Sequence, residues 1–295
     1  SNTTTAPIKV LDAKKVILTL ADNTTNTITD SSRLSTEEDY SAAIYSKEDL
    51  IINGNGTLNV NAGYRNGIKS TDDCIIVSGT LNITSTEDGI IGKDLCGVVA
   101  GDININAGSD GIKSTYDTDT TKGNVIIEGG NITIKASNDG IQAENILVIN
   151  DGAINIKTNN GAADTTQTHI DNMDMGRGGF GFNNNKTTTT TDDTSESRKG
   201  IKAGNMLIIN DGDITIDSDD DSVHCNSVIY IYGGTINAAT GDDGVHADDL
   251  LTVNGGTINI TQCYEGIEAD DIVINDGDIS VVSSDDGINS SDGSI

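Results

Sequence analysis

One unit of the repeat that decides the fold is the stretch DGIQAENILVINDGAINIK, residues 139–157. It contains a short strand after the glycine, an apolar strand, an Asn-Asp-Gly turn and a third strand in which Ile alternates with polar residues. Asn, Asp and Gly tolerate the positive φ that tight turns require. Alternation with a period of two directs Ile to one side and the polar residues to the other. The unit therefore has three strands separated by tight turns.

The Asp-Gly-Ile-like signature recurs with a spacing typical of a solenoid. Most copies are 22 residues apart, and two insertions lengthen the spacing to 29 and 60 residues. The signature glycine is Gly67, Gly89, Gly111, Gly140, Gly200, Gly244, Gly266 and Gly287, and Ser222 takes its place in one coil. Three strands in so short a unit close one coil, and coils stacked about 4.8 Å apart place equivalent residues above each other. We predict an all-β, right-handed, single-stranded parallel β-helix of about ten three-strand coils. A helical solenoid is disfavoured because no 3.6-residue period is present.

The chain divides into a predicted cap and a predicted solenoid. Residues 1–43 are expected to form an N-terminal β cap, with strands at 16–20 and 27–29 paired around the polar stretch 22–26. Residues 44–295 are expected to form the β-helix, with insertions at 115–122 and 162–198. The last coil stops at Ile295 without an evident cap, and we expect a truncation or a partner there.

The insertions admit two interpretations each. The longer one holds both phenylalanines, Phe180 and Phe182, in a Gly- and Thr-rich segment whose composition favours a surface loop. The alternative is a flap whose two rings stack on a sugar. The shorter insertion places alternating Asp before a Gly, as calcium loops do, but it lacks the closing Glu.

Composition excludes several classes of partner. The chain has 17 basic and 46 acidic residues and a formal net charge of −29, which disfavours nucleic acids and anionic membranes. No apolar run approaches the roughly 18 residues of a membrane span. Four cysteines are too few for a disulfide scaffold. We therefore expect a monomer with no nucleic-acid partner and no membrane insertion.

One edge of the predicted solenoid collects carboxylates. Residues 203–295 contain 19 Asp or Glu and no Lys or Arg. Carboxylates one coil apart repel by about 2–4 kcal/mol at an effective dielectric of about 20–40, and Ca²⁺, which takes about 6–8 oxygen ligands, is the natural counter-ion. The predicted calcium ligands are Asp220, Asp221, Asp242, Asp243, Asp248, Glu265, Glu268 and Asp270. A solvated acidic edge with raised pKa values is the alternative.

Outward positions two residues after the signature glycine carry basic side chains. With the two phenylalanines, they are the predicted carbohydrate contacts: Lys69, Lys113, Lys202, His224 and His246. The two histidines are one coil apart, so a transition-metal pair or general bases are alternatives, beside ordinary exposed polar positions, which we favour. Cys74 and Cys96 are also one coil apart. Their spacing permits a disulfide, although buried thiols are favoured.

These motifs resemble those of bacterial extracellular carbohydrate-binding β-helix domains, which are polysaccharide-lyase-like. The likeness covers most of residues 16–295 and rests on AAIYSKEDL at 42–50, NGIKS at 66–70, DGIKS at 110–114 and GTI at 256–258. The resemblance implies a calcium-bearing right-handed β-helix that binds plant cell-wall polysaccharides such as cellulose and polygalacturonate. It also implies an extracellular or cell-surface location.

A second resemblance is to calcium-dependent pectate lyases. The stretch DDGVH at 242–246 partly matches an Asp-Asp-Gly-x-Asp calcium segment of one such family, in which a Lys removes the proton. No Lys or Arg follows Lys202, so a base would have to be Lys202, a His or Arg177. We therefore expect a calcium-binding, non-catalytic polysaccharide-binding module. A calcium-dependent polysaccharide lyase, a hydrolase with paired carboxylates and a structural cell-surface adhesin are the alternatives.

Overall fold

Each turn of the chain contributes three strands to one coil of a stack. The structure is a computed structural model, which describes residues 5–31, 40–163 and 197–291. The first strands of the coils are Ile8–Val10 (β1), Ala42–Ser46 (β4), Asn66–Ser70 (β7), Ile90–Gly92 (β10), Ile112–Ser114 (β13), Ile141–Ala143 (β16), Ile201–Ala203 (β19), Val223–Cys225 (β22) and Ile288–Ser290 (β29). The second strands are Val16–Leu20 (β2), Leu50–Gly54 (β5), Cys74–Ile76 (β8), Leu95–Val98 (β11), Asn124–Ile127 (β14), Ile146–Ile149 (β17), Met206–Ile209 (β20) and Val228–Ile231 (β23). Two longer strands, Val245–Val253 (β25) and Ile267–Ile274 (β27), serve as both first and second strand of their coils.

The third strands form a sheet of their own. They are Thr25–Asp30 (β3), Thr57–Ala62 (β6), Thr80–Ser85 (β9), Asp102–Ala107 (β12), Asn131–Ala136 (β15), Ala153–Thr158 (β18), Asp213–Ser218 (β21), Thr235–Thr240 (β24), Thr257–Cys263 (β26) and Asp278–Ser283 (β28). This sheet has 10 strands, and the first and second strands together form a sheet of 19. The described strands pair in parallel, so the prediction of a parallel β-helix with about ten coils is confirmed. The hand of the coil stays a prediction.

Isoleucine ladders fill the interior, as the alternation in the third strands predicts. Ile132, Ile154 and Ile214 are register neighbours in β15, β18 and β21, and each is at most 2% exposed. Burial of one such side chain contributes about 1.5–3 kcal/mol. The main-chain amides bond to the neighbouring coils, which satisfies the polar backbone inside the solenoid.

The signature glycine is required by close packing between coils. A Cβ on Gly140 would lie 2.4 Å from Cγ2 of Ile156 and 2.5 Å from the carbonyl oxygen of Gly200. Because neither atom has room to move, a side chain at this position forces the coils apart or displaces a core isoleucine.

The strands of residues 8–30 are the first coil of the solenoid. β1, β2 and β3 pair in parallel with β4, β5 and β6, as in Val16↔Leu50 and Thr27↔Asn59. The two strands expected to pair around residues 22–26 therefore lie in different sheets, because each finds its partner in the next coil. A capping role for residues 1–43 stays a prediction.

The two insertions leave the coil at different corners. The shorter one is held by Asn145, whose Nδ2 donates to the carbonyl oxygens of Thr120 and Lys122 at 2.6 and 3.0 Å. Its Asp119 accepts from the main chain of Thr121 rather than converging with other carboxylates. The calcium-loop interpretation therefore gains no support here. Residues 164–196, with Phe180 and Phe182, lie outside the described residues.

The cysteines behave as core residues. Cys74 and Cys96 are register partners in β8 and β11, and both are fully buried free thiols. Burial raises both thiol pKa values, that of Cys96 to about 12. The prediction of buried thiols rather than a disulfide is confirmed. Within the described part of the chain, no helix is long and apolar enough to cross a membrane.

Candidate functional site

A ladder of carboxylates runs along the corner that precedes the first strands. We call Asp88, Asp110, Asp139, Asp221 and Asp243 the acidic ladder. Oδ1 of each member accepts the main-chain N–H of the next coil, at distances of 2.7–3.3 Å. One oxygen of each ladder carboxylate thus takes part in the fold, and the second is the more accessible to a ligand. The acidic repeat seen in the sequence is in part structural.

Basic side chains compensate the ladder in its N-terminal half. Nζ of Lys113 lies 2.6 Å from Oδ2 of Asp110, and Nζ of Lys202 lies 4.0 Å from Oδ2 of Asp139. The amine of Lys69 lies 3.3 Å from Oγ of Ser41. Burial lowers its pKa, and the nearby carboxylates only partly oppose this. The structure therefore places these three predicted carbohydrate contacts among carboxylates and hydroxyls of the fold.

Lys199 occupies a ladder position itself and was not singled out from the sequence. Its Nζ lies 2.6 Å from Oδ2 of Asp221 and 2.9 Å from Oδ1 of Asp220. Burial lowers the pKa of Lys199, but the two carboxylates outweigh it and the net shift is upward. The sequence could have indicated this role, because Lys199 is the one basic residue at a repeat position that is acidic in most coils.

The two predicted histidines converge on the same carboxylate. Nδ1 of His224 lies 2.8 Å from Oδ2 of Asp221, and Nδ1 of His246 lies 3.7 Å from that atom. The rings meet edge to face, with centroids 4.9 Å apart. Burial raises the pKa of Asp221, but Lys199 and the two imidazoles lower it well below its usual range. This corner is therefore a cluster of one buried anion and three basic groups.

His246 joins this cluster to the carboxylates of the following coils. Its Nδ1 is 3.5 Å from Oδ2 of Asp243, and its Nε2 is 3.7 Å from Oδ1 of Asp248 and 3.9 Å from Oε2 of Glu268. Burial lowers the pKa of His246, but Asp221 and Glu268 raise it overall.

The carboxylates beyond His246 have little compensation. Burial, with the charges of Asp221 and Asp242, raises the pKa of Asp243 to about 10. Burial also raises the pKa of Glu265, whose Oε2 accepts from Asn289 at 3.0 Å. The same amide reaches Oε1 of Glu268 at 3.5 Å. The raised pKa values of Asp243 and Glu265 mean that these two carboxyl groups are stabilised by protons or by a cation.

The predicted calcium ligands thus occupy three kinds of position. One group within 4.8 Å joins Asp220, Asp221 and Asp242, and a second joins Asp243 and Glu268 through His246. Glu265 lies beside the second group, and Asp248 approaches it at His246. Asp270 stands apart, where its Oδ1 accepts from Oγ of Ser291 at 2.6 Å.

An all-oxygen group in the N-terminal half was missed. The carboxylates of Asp49, Asp72 and Asp73 lie within 4.8 Å of one another, at the corner between the first and second strands. Burial raises the pKa of Asp72 and Asp73, and neighbouring carboxylates add to the shift. The signal was the stacking of Asp49 on Asp73, the residues that precede the register partners Leu50 and Cys74.

The outward face of the 10-stranded sheet is polar. Nδ2 of Asn82 donates to Oδ1 of Asn59 at 2.9 Å, and Nδ2 of Asn104 donates to Oδ1 of Asn82 at 3.1 Å. Beside this amide row, Lys135 and Lys157 are register neighbours. Shallow depressions on this face are lined by Asn82, Asn104, Asn106, Thr133, Lys135 and Lys157. We call these residues, with Asn59, the amide face.

Fold and surface together define a parallel β-helix with a long polar face and a carboxylate-rich edge. A family model described as "Carbohydrate-binding domain-containing protein" matches residues 1–244 and 242–294. The chain belongs to this carbohydrate-binding family, and the resemblance inferred from the motifs is confirmed.

Two bacterial proteins are similar to this chain. A carbohydrate-binding domain-containing protein of Acetivibrio thermocellus is 39% identical over 87 residues, which are 28% of this chain and 30% of that protein. A solved structure titled as the polysaccharide lyase-like protein from C. thermocellum, gadolinium derivative, has a TM-score of 0.52 and 36% identity, over 54% of this chain and 65% of that one. The matches thus span less than two thirds of either relative. Together with the family model, the first of them supports a carbohydrate-binding protein.

Proposed function

We propose that this chain is a non-catalytic, calcium-dependent module that binds plant cell-wall polysaccharides, cellulose and polygalacturonate among them, outside the cell or on its surface. The observation that carries the proposal is the group formed by Asp243, Glu265 and Glu268. Two of these carboxylates are buried and that of Glu268 is partly exposed, and no Lys or Arg of the described residues pairs with them. The family supplies carbohydrate as the class of ligand, and the structure supplies the donor set for the cation.

Calcium fits this donor set. Ca²⁺ takes about 6–8 oxygen ligands in flexible geometry, and carboxylates from consecutive coils offer oxygens from several directions. The raised pKa of Asp243, about 10, reflects a site that gains from a bound cation. The group of Asp49, Asp72 and Asp73 offers a second all-oxygen site. The similar solved protein was obtained as a gadolinium derivative, and Gd³⁺ is a hard cation that prefers oxygen ligands as Ca²⁺ does.

The amide face is the proposed sugar contact. Amides stacked one coil apart present donors and acceptors at a regular spacing of about 4.8 Å, which suits the repeating hydroxyls of a linear glycan. Lys135 adds positive charge for the carboxylates of a polyuronate, whereas the ammonium group of Lys157 is paired with Asp217. Elsewhere on this acidic protein, bridging Ca²⁺ would join glycan carboxylates to the edge. Phe180 and Phe182 remain predicted contacts.

A binding role is favoured over elimination by the position of the basic residues. A lyase requires a base that reaches the sugar proton. Lys202 donates to Oγ of Ser197 at 3.2 Å and faces Asp139. His224 and His246 are both held among carboxylates. We therefore propose that a monomeric chain retains polysaccharide without cleaving it.

The test is a pull-down on insoluble cellulose and on polygalacturonate, with Ca²⁺ or with EDTA, while ultraviolet absorbance of the soluble fraction reports unsaturated uronates. We expect retention that needs Ca²⁺ and no product. The variant Asp243→Asn/Glu268→Gln should lose calcium-dependent retention. Lys135→Ala should weaken polygalacturonate retention more than cellulose retention. Asp278→Asn, at an exposed carboxylate, is the matched control. Equal retention in EDTA would contradict the calcium role, and product release would establish a lyase.

A further inference from the structure

The geometry points to a transition-metal site of the zinc type, with Oδ2 of Asp221, Nδ1 of His224 and Nδ1 of His246 as ligands. These three atoms lie within 4.8 Å of one another. The site shares Asp221 and Asp243 with the carboxylate groups described above. It differs from them in having two nitrogen donors, which Zn²⁺, Cu²⁺ and Ni²⁺ accept and Ca²⁺ avoids. The inference goes beyond the proposed function and does not rest on it.

His224 supplies an independent sign of a missing ligand. The residue is 8% exposed, and its Nδ1, which points at Asp221, has no aligned hydrogen-bond partner among the described residues although Oδ2 lies 2.8 Å away. Its Nε2 lies 2.9 Å from Oδ1 of Asn226. When Nε2–H donates to that oxygen, the neutral ring directs the Nδ1 lone pair at the carboxylate. Two facing acceptors at this distance repel each other unless a cation lies between or beside them. The ammonium group of Lys199, 2.6 Å from Oδ2, is one such cation, and a metal ion that binds both Nδ1 and Oδ2 is the one we propose.

The separations of the donor atoms match tetrahedral coordination. Ligands bound to zinc at about 2.0–2.1 Å stand about 3.3–3.4 Å apart in a tetrahedron. The observed separations bracket this value, with 2.8 Å between His224 and Asp221 and 3.7 Å between His246 and Asp221. Oδ2 of Asp243, 3.5 Å from Nδ1 of His246, is placed to complete the set.

The outer contacts also suit a metal site. Histidine ligands usually donate their second ring N–H to an oxygen, which fixes the tautomer. Nε2 of His224 has Asn226 for this purpose, and Nε2 of His246 faces the carboxylates of Asp248 and Glu268. Both rings therefore present Nδ1 inward and Nε2 to an oxygen acceptor.

Lys199 sets the affinity of this site. Its ammonium group lies 2.6 Å from the proposed ligand atom of Asp221 and 2.9 Å from Asp220. Metal ion and ammonium compete for Asp221, so binding moves Lys199 onto Asp220 alone. Removing the ammonium group should therefore strengthen metal binding.

The experiment titrates the whole chain with ZnCl₂ by calorimetry, without Ca²⁺ and in excess Ca²⁺, and records the visible spectrum with CoCl₂. The titration in Ca²⁺ separates the nitrogen-containing site from the all-oxygen groups. We expect one Zn²⁺ per chain and a tetrahedral Co²⁺ spectrum. His224→Gln and His246→Gln should each weaken binding at least about 100-fold, whereas Lys199→Gln should strengthen it about tenfold or more. His169→Asn, which removes the third histidine, is the control and should bind like the parent.

Circular dichroism shows whether each variant keeps its β-structure, so that loss of a ligand is separated from loss of the fold. Zinc affinity that is equal in the parent, His224→Gln and His246→Gln would overturn the site. The absence of stoichiometric Zn²⁺ binding in both the parent and Lys199→Gln would overturn it as well, since the second variant tests the site even if His224→Gln unfolds.

Discussion

Ser222 and Ala238 are a compensating pair that tests how the coils pack. In the preceding coil, a Cβ added to Gly200 would lie 2.4 Å from Cγ2 of Ile216. Ser222 has the glycine's place in its own coil, and Ala238 is the register partner of Ile216. The smaller alanine makes room for the serine side chain. The two departures from the repeat are therefore expected to depend on each other.

The perturbation is Ala238→Ile, which extends a methyl group to a sec-butyl group at a site only 3% exposed. By the geometry of the neighbouring coil, the new Cγ2 would meet the Cβ of Ser222 at 2.4 Å, far inside van der Waals contact. Overpacking of this kind costs about 1–3 kcal/mol. With Ser222→Gly in the background, the clash is absent and the isoleucine restores the usual pairing. We expect a coupling energy of about 1–3 kcal/mol.

The assay is urea unfolding, followed by circular dichroism, for the parent, Ala238→Ile, Ser222→Gly and the double variant. The single Ser222→Gly variant also measures the loss of the contact between the hydroxyls of Ser222 and Ser218, which are 3.1 Å apart. The double-mutant cycle formed by these four proteins removes the contribution of this hydroxyl contact from the coupling energy. If the two substitutions add within about 0.5 kcal/mol, the packing argument for the signature glycine is refuted.

Three other predictions concern titration, the short insertion and the thiols. Without Ca²⁺, the free energy of unfolding should fall as pH rises from about 4 towards 10, because the pKa of Asp243 is about 10 in the fold and lower in the unfolded chain. The measurement is the urea midpoint of unfolding as a function of pH, and Asp243→Asn should reduce its slope. An unchanged slope would contradict the assignment of this pH dependence to Asp243. Asn145→Ala should speed trypsin cleavage after Lys122 about tenfold, because its Nδ2 holds two carbonyl groups of the loop, and equal rates would contradict this. Cys74 and Cys96 should resist iodoacetamide until urea is added, because burial raises both pKa values, and mass spectrometry would reveal any contrary labelling of the folded chain.

The coil and its contents were predictable because both follow from local spacing. A repeat of 22 residues stacks equivalent positions, and a period of two sends Ile154 and Ile214 inward, where both are found buried. The first coil was not recognised, because residues 8–30 lack the signature glycine. Only pairings such as Val16↔Leu50 reveal that these strands continue the solenoid.

The sequence could predict which edge of the solenoid carries the acidic residues, but not which atoms of these side chains contact each other. The alignment of the repeats shows that Asp221 and Asp243 share a corner of the solenoid, because each directly precedes the signature position of its coil. It does not show that Oδ1 of each is committed to the main-chain N–H of the next coil. Nor does it show that Lys199, which follows the long insertion, directs its amine at Asp221. These facts depend on side-chain rotamers and on where the insertion returns the chain to the coil.

The side chain that offsets the negative charge of each carboxylate in the acidic ladder changes along the solenoid. This change indicates where a bound cation would be needed. Asp110 has the ammonium group of Lys113, and the next acidic steps have a lysine or, at Asp221, a lysine and two imidazoles. Further along, the carboxylate of Glu265 accepts from the neutral amide of Asn289, with no Lys or Arg of the described residues beside it. A neutral amide cannot offset a negative charge, so the repulsion between coils grows toward the C-terminal half unless a bound ion offsets it. The acidic ladder thus has lysine partners as far as Asp221. Glu265, in the coils whose first and second strands merge into β25 and β27, is the step at which the proposed cation would act.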